Sequence, residues 1–443
     1  MALREQWRSR WGFVLAAAGS AVGLGNLWGF AYRASEGGGA AFLLLYILIV
    51  LVVCLPVLVS EMVLGRSTGS SPLLAPVNAA GPRWSPMGWL FVIAPLGIGS
   101  YYAVLMGWTL DTLIHSIFFG LPSNLSEAET FFGSISSGSS VLLGQLISLL
   151  LTAIVVSAGV RGGIERLSRL GVPILFGLLL ILALWAATLS GTWEGYRTFL
   201  LKLDASQFFN PSTIRNAFTQ AFFSLSLGIG IMVAYSSYLD KKNQLPKEAV
   251  SVASIDTAVG LLAGMITFPI VMSFGLKEVI SGSTVGTLFI SLPTGLGTLG
   301  LTGRVVAILF FALAYIAAIT SSISLLEVPV SSIMDRLGWG RSKAVFVSTG
   351  LLFVLGIPSA LNLDVLGKMD SIFGGVLLIL GGFLLSIFLG WVVPNRFDED
   401  LAGCNSNHRV RRYLKFMLRW VSPPVIAFGL IVSVVDLFQN WSS

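Results

Sequence analysis

Charge is what this chain has least of. Only 11% of its 443 residues are Asp, Glu, Lys or Arg, against about 25% in a soluble globular domain. That scarcity excludes a water-solvated surface over most of the molecule. His115 and His408 are the only histidines, too few for a histidine metal centre. The two cysteines, Cys54 and Cys404, are far apart and suggest neither a disulfide framework nor a metal site. The net charge of +6 would hint at nucleic acid in a soluble protein, but here its distribution matters more than its sum. No cleavable leader is expected, because residues 1–10 are polar and basic and the first apolar run leads into a full span.

What the chain has instead is apolar sequence: 55% hydrophobic residues and a mean hydropathy of +0.86. Runs long enough to cross a bilayer, about 20 residues each, fall near 11–33, 40–64, 87–119, 139–158, 166–189, 213–239, 250–275, 303–334, 342–358, 366–392 and 416–438. The spacing predicts eleven spans. A semi-apolar stretch, 284–297, carries Pro293, Gly295 and Gly297 and reads as a helical hairpin in a loop. Twenty of the 27 basic residues fall on one set of alternating loops and seven on the other. The positive-inside rule then puts the N-terminus in the cytoplasm and, with an odd number of spans, the C-terminus outside.

Two apolar runs are interrupted. Gly19-Ser20-Ala21-Val22-Gly23-Leu24-Gly25-Asn26 breaks the first, and Phe223-Ser224-Leu225-Ser226-Leu227-Gly228-Ile229-Gly230 breaks the sixth. Glycine lowers the cost of unwinding, but inside a bilayer each freed backbone group needs a partner. Corresponding breaks point to a transporter's substrate and ion sites. An offset of five spans makes the second half insert upside down. The expectation is one transmembrane domain over 1–443, with repeat one at about 11–189, repeat two at about 213–392, and an extra span at about 416–438.

Gly23-Leu24-Gly25-Asn26-Leu27-Trp28, Glu36-Gly37-Gly38-Gly39-Ala40-Ala41-Phe42, Tyr101-Tyr102, Phe222-Phe223-Ser224-Leu225-Ser226-Leu227-Gly228 and Thr320-Ser321-Ser322 resemble the neurotransmitter:sodium symporter family, in its bacterial amino-acid branch. The resemblance covers nearly the whole chain, in order. It implies an all-α polytopic fold with an inverted 5+5 repeat, discontinuous helices 1 and 6, and an eleventh span, in a bacterial inner membrane. The implied activity is sodium-coupled symport of an L-amino acid by alternating access, with two Na+ ions and no organic cofactor. The implied partners are a small-molecule substrate and the lipid bilayer, not nucleic acid; monomer and dimer both stay open.

By this resemblance the substrate carboxylate meets the N–H groups of Leu24 and Gly25 and the hydroxyl of Tyr102. A half-helix starting at the break independently offers free donors and a positive dipole end. The ammonium meets the carbonyls of Ala21, Phe223 and Ser224 and the hydroxyl of Ser226. Gly23 stands where monoamine-carrying relatives have aspartate, which favours α-amino acids. Ile98, Phe223, Ile229, Ser321 and Leu325 line the side-chain pocket and suit a neutral hydrophobic or aromatic group.

The same resemblance assigns the first sodium to Ala21, Asn26, Ser224, Asp256 and the substrate carboxylate. The second goes to carbonyls of Gly19, Val22 and Ala317 with hydroxyls of Thr320 and Ser321. A carboxylate in span 7 is costly and usually functional. Asp256 replaces a common Asn, and Gly260 stands where chloride-dependent relatives have Ser, so the transport is expected to be chloride-independent; proton cycling at Asp256 stays open. Arg4 and Asp335 match one closing ion pair, with Trp7 and Tyr238 beside it. Asp370 matches the acidic member of the other, whose usual Arg is Gly29 here; Arg33, one turn on, either substitutes or is a solvated cation. Glu61 is expected to hydrogen-bond the broken backbones, and Gly163 with Pro173 to loosen the start of span 5. The Asn124-Leu125-Ser126 sequon is uninformative. A substrate-gated channel or sensor on the same fold is the alternative. An enzyme finds no nucleophile–base pair.

Overall fold

The computed structural model describes residues 5–274, 284–404 and 406–442. Arg4 of the expected ion pair and Lys277 of a loop lie outside the described residues. Among the described residues every regular element is helical. Among the described residues nine helices are long and apolar enough to cross a membrane: Ala40–Thr68, Pro82–Phe118, Gly138–Ser157, Val160–Ala186, Leu245–Ser273, Gly300–Leu337, Arg341–Leu361, Leu363–Val392 and His408–Val435. These are spans 2–5 and 7–11. Span 1 is the bent pair Arg10–Ala21 and Gly25–Glu36, which turns by 66°. Span 6 is Pro211–Ser224 followed, after six non-helical residues, by Ile231–Ser236. The eleven-span reading and both breaks therefore hold.

Local chemistry sets the breaks. Val22 adopts an extended conformation where span 1 stops. In span 6, Gly228 and Gly230 take φ of 78° and 73°, a region that penalises side chains. Ser226, at φ 51°, is the only non-glycine with positive φ among the described residues. Glycine also permits close approach: a Cβ on Gly228 would lie 2.0 Å from the Leu378 carbonyl, and one on Gly65 2.1 Å from that of Val233. So the span 6 break lies directly on span 10, and its second half lies on span 2.

Several boundaries move outward from the apolar runs. Span 5 starts at Val160 and span 11 at His408. At span 11 the basic residues of His408–Phe416 continue the helix, since Arg and Lys are good helix formers; at span 5 the added Val160–Glu165 has its first N–H groups met by Glu5. The stretch 284–297 is helical throughout and turns into span 8 at Gly300. The first half of span 1 packs against spans 5, 7 and 8, and span 3 packs against spans 4, 8 and 9. The two broken helices are thus enclosed, and their interrupted backbones meet at the centre.

Candidate functional site

A cavity of about 30 Å³ lies where the two breaks face each other. Ser20, Ala21, Gly23 and Asn26 line it from span 1, with Phe223, Ser226 and Ile229 from span 6. Ile98 and Tyr102 of span 3, Ser321 and Leu325 of span 8 and Leu378 of span 10 complete the wall. The Leu24 N–H donates to the Tyr102 hydroxyl at 3.2 Å. A Cβ on Gly23 would lie 2.9 Å from the Tyr102 hydroxyl oxygen, and one on Gly25 2.7 Å from the Phe223 ring. These glycines keep the backbone poles of span 1 within reach of the cavity.

The freed backbone groups are met by side chains. The Ser226 hydroxyl donates to the Ser20 carbonyl at 3.2 Å, and Ser321 donates to the carbonyls of Ser20 and Val22 at 3.1 and 3.2 Å. Glu61 accepts from the N–H groups of Gly228 at 2.6 Å and Met232 at 3.2 Å. It therefore serves the span 6 break, and Leu24 of span 1 is served by Tyr102.

Asp256 is fully buried. Its oxygens accept from Asn26 at 2.6 Å, Ser224 at 2.6 Å and Tyr46 at 3.1 Å, all neutral donors. Asn26 also donates to the Ser224 hydroxyl at 2.7 Å and accepts from the Gly23 N–H at 3.3 Å. This cluster joins spans 1, 2, 6 and 7, and its Asn26 shares the cavity wall with Ala21. Ser224 faces Asp256 and does not line the cavity. On the other flank, Thr320 donates to the Ala317 carbonyl at 2.9 Å, and a Cβ on Gly19 would lie 3.3 Å from the Thr320 Cβ. With the Ser321–Val22 bond, all five residues expected around the second ion come together.

Leu24 and Gly25 line a second cavity of about 130 Å³, together with Gly29, Arg33, Tyr101, Phe289 and Asp370. Tyr102 and Phe223 line both cavities and form the partition between them. Arg33 donates to Gln220 at 2.6 Å, Gln220 donates to the Gly25 carbonyl at 3.3 Å, and Tyr101 donates to Asp370 at 2.7 Å. Arg33 and Asp370 thus share this vestibule, each held by a neutral partner.

The opposite end, which carries most of the basic loops, is closed differently. The Trp7 indole donates to the Tyr235 carbonyl at 2.8 Å and its N–H to the Tyr238 carbonyl at 3.3 Å. The Tyr238 hydroxyl donates to Glu327 at 2.8 Å, and Glu327 pairs with Arg341 at 2.5 Å. Asp335 accepts from the Ser71 N–H at 2.7 Å. Glu165 accepts from the Arg8 N–H and the Ser9 hydroxyl, and Glu5 from the N–H groups of Val160 and Arg161. Gly163 lies within this strapped turn, and Pro173 lies inside the helix that follows.

The model of the sodium:neurotransmitter symporter family matches residues 4–136 and 126–442. The chain belongs to that family. It is 37% identical to the uncharacterised sodium-dependent transporter YhdH of Bacillus subtilis, over 95% of this chain and 96% of the relative. An uncharacterised sodium-dependent transporter of Methanocaldococcus jannaschii is 34% identical, over 99% and 92%. The crystal structure of MhsT in complex with L-phenylalanine superposes with a TM-score of 0.89 at 36% identity, covering 97% of this chain and all of that one. The protein is a sodium-dependent transporter with an inverted-repeat, alternating-access fold, and its family is not enzymatic.

As a sodium:neurotransmitter symporter, the chain holds several site residues that sequence reasoning missed. Ser20 and Leu378 line the central cavity, Tyr46 reaches Asp256, Gln220 holds Arg33, and Glu327 with Arg341 holds Tyr238. Glu327 had a signal, being an acid inside an apolar run. Leu378 had none: one leucine in an apolar span looks like any other.

Proposed function

We propose that the protein carries a neutral, apolar L-amino acid together with two sodium ions, without a chloride requirement. The observation that carries this is the apposition of the two breaks around a wall with one polar end and one apolar end. At the partition between the two cavities, Tyr102 with the N–H groups of Leu24 and Gly25, which open onto the vestibule, suits the carboxylate, and the carbonyls of Ala21 and Phe223 with Ser226 suit the ammonium. Ile98, Phe223, Ile229, Leu325 and Leu378 suit an apolar side chain, which leaves no polar group unpaired. The L-phenylalanine in the similar MhsT structure supports that class. A cavity of about 30 Å³ admits roughly one water, so substrate entry displaces Phe223 or its neighbours.

Asp256 with Asn26, Ser224 and the Ala21 carbonyl suits one sodium, since hard cations take oxygen ligands. A buried carboxylate met only by neutral donors keeps its charge best when a cation joins it. Gly19, Val22, Ala317, Thr320 and Ser321 suit the other. Chloride has little room at Gly260, where even a Cβ would lie 3.1 Å from the Phe30 ring. With the N-terminus in the cytoplasm, each inward charge gains roughly 2.3 kcal/mol per 100 mV. The test is a thermal-shift screen of the twenty amino acids in sodium and in potassium. Stabilisation by apolar amino acids in sodium alone is expected; equal shifts in potassium, or none, overturn the reading. Equal uptake in chloride and gluconate media is expected, and a strict chloride requirement overturns that part.

A further inference from the structure

The helix that opens span 11, His408–Phe416, and its π-helical continuation Met417–Val421 carry Arg409, Arg411, Arg412, Lys415 and Arg419. Leu414 and Leu418 are buried against the protein. Tyr413, Phe416 and Trp420 are 44%, 54% and 56% exposed and follow one another at helical spacing, which places them on one outward stripe. Between the buried face and this stripe runs the basic flank. Among the described residues only Lys415 of these five is ion-paired, to Asp398.

Arg419 is held in an unusual way. Its guanidinium lies 4.4 Å from the centre of the Trp391 ring and 5.7 Å from that of Trp420. The two indoles meet edge to face at 4.8 Å, and the Trp391 N–H donates to the Arg419 carbonyl at 3.1 Å. The Nε atoms of Arg419 and Arg411 are buried and have no hydrogen-bond partner. Ring contact occupies the face of a guanidinium and leaves its edge donors unmet. Both arginines lie on the basic flank beside the aromatic stripe, both are partly exposed, and among the described residues neither guanidinium has a protein acceptor, so their outer nitrogens are left to an acceptor from outside the protein.

We propose that this corner binds the phosphate of an anionic phospholipid, with Arg419 as the anchor and Arg411 and Arg412 reaching the headgroup from the water side. A phosphodiester offers the paired oxygens that a guanidinium fork matches. Its acyl chains lie along Phe416, Trp420 and the exposed Phe428 of the same span. Charge complementarity selects an anionic headgroup over a zwitterionic one, because juxtamembrane cations attract anionic leaflets.

The experiment uses the full-length protein in nanodiscs of phosphatidylcholine with a minor share of phosphatidylglycerol. Lipid retained after detergent extraction is counted by native mass spectrometry. Phosphatidylglycerol should be enriched over its share in the disc, and Arg411→Gln with Arg419→Gln should lower that enrichment at least about fivefold. Arg419→Lys should keep part of it. The amino-acid thermal shift in sodium reports that each variant is folded. If the double variant does not fold, Arg412→Gln with Arg419→Gln takes its place. No enrichment in the unaltered protein, or enrichment unchanged in the variants, overturns the proposal. So does millimolar inorganic phosphate displacing the bound lipid, which would mark a free-anion site.

Discussion

The two ends of the central cavity are closed by different materials. Toward the vestibule the barrier is one layer, the Phe223 ring and Tyr102, with water-sized space on both sides and Arg33 and Asp370 each held by a neutral partner. Toward the basic loops it is several layers thick. Trp7 is buried, the fully buried Glu327 pairs with the partly exposed Arg341 and is tied to Tyr238, and the segment 5–9 is strapped onto the start of span 5. Swinging one ring aside forfeits some apolar contact, whereas parting the ion pair leaves the fully buried Glu327 carboxylate without its cation. The difference teaches that the vestibule end yields first, and that opening the basic end needs many contacts to release together. A carrier that must never open both ends gains from that asymmetry.

The comparison breaks most sharply at the ion pair. Arg341→Gln leaves the buried Glu327 carboxylate unpaired and should lower stability by about 3–5 kcal/mol, read by thermal unfolding. Adding Glu327→Gln should recover much of that loss. If Arg341→Gln alone changes nothing, the basic end is not held by this pair. Trp7→Ala should cost about 3–5 kcal/mol in lost burial and the cavity left behind. It should also raise the reactivity of a cysteine probe placed at Ala317, approached from the basic side. An unchanged rate would mean the strap does not seal.

At the other end, Phe223→Ala should speed substrate release toward the vestibule by about tenfold, near the 1.4 kcal/mol that one well-placed aromatic contact is worth. Stopped-flow dissociation measures it, and equal rates would remove Phe223 from the barrier. The smallest effect is expected from Arg33→Gln, which loses one hydrogen bond to Gln220, about 1 kcal/mol. Substrate binding should survive while uptake falls. Normal uptake would leave Arg33 with no part in closing the vestibule.

How much of this was legible depended on whether a residue's role is local. The breaks could be read because Gly23, Gly25, Gly228 and Gly230 weaken a helix wherever they sit in it. Asp256 and Glu61 stood out as acids inside apolar runs, and both prove to be fully buried and multiply hydrogen-bonded. Tyr238 sits near the basic end, where its hydroxyl partner is Glu327, 89 residues away. Ser224 turns to Asp256, and Leu24 and Gly25 open onto the vestibule. Which face of an unwound segment points where cannot be computed from a 3.6-residue period, because that period is absent there. The helix of span 11 begins at His408, ahead of its apolar run, since a hydropathy window ends where charge begins and a helix does not.

The amino-acid sequence alone determined the spans, their two interruptions, the family motifs and the residue types that meet at the centre. Those follow from apolar length, glycine content and short-range order, all of which act within a turn or two of helix. Only the tertiary structure decided that Tyr102 caps Leu24, that Leu378 closes the pocket, and that the Glu327–Arg341 pair stands opposite a single aromatic layer. Contacts such as that from Tyr102 to Leu24 join chain positions far apart, and packing, not local preference, selects among the many apolar faces that could have met.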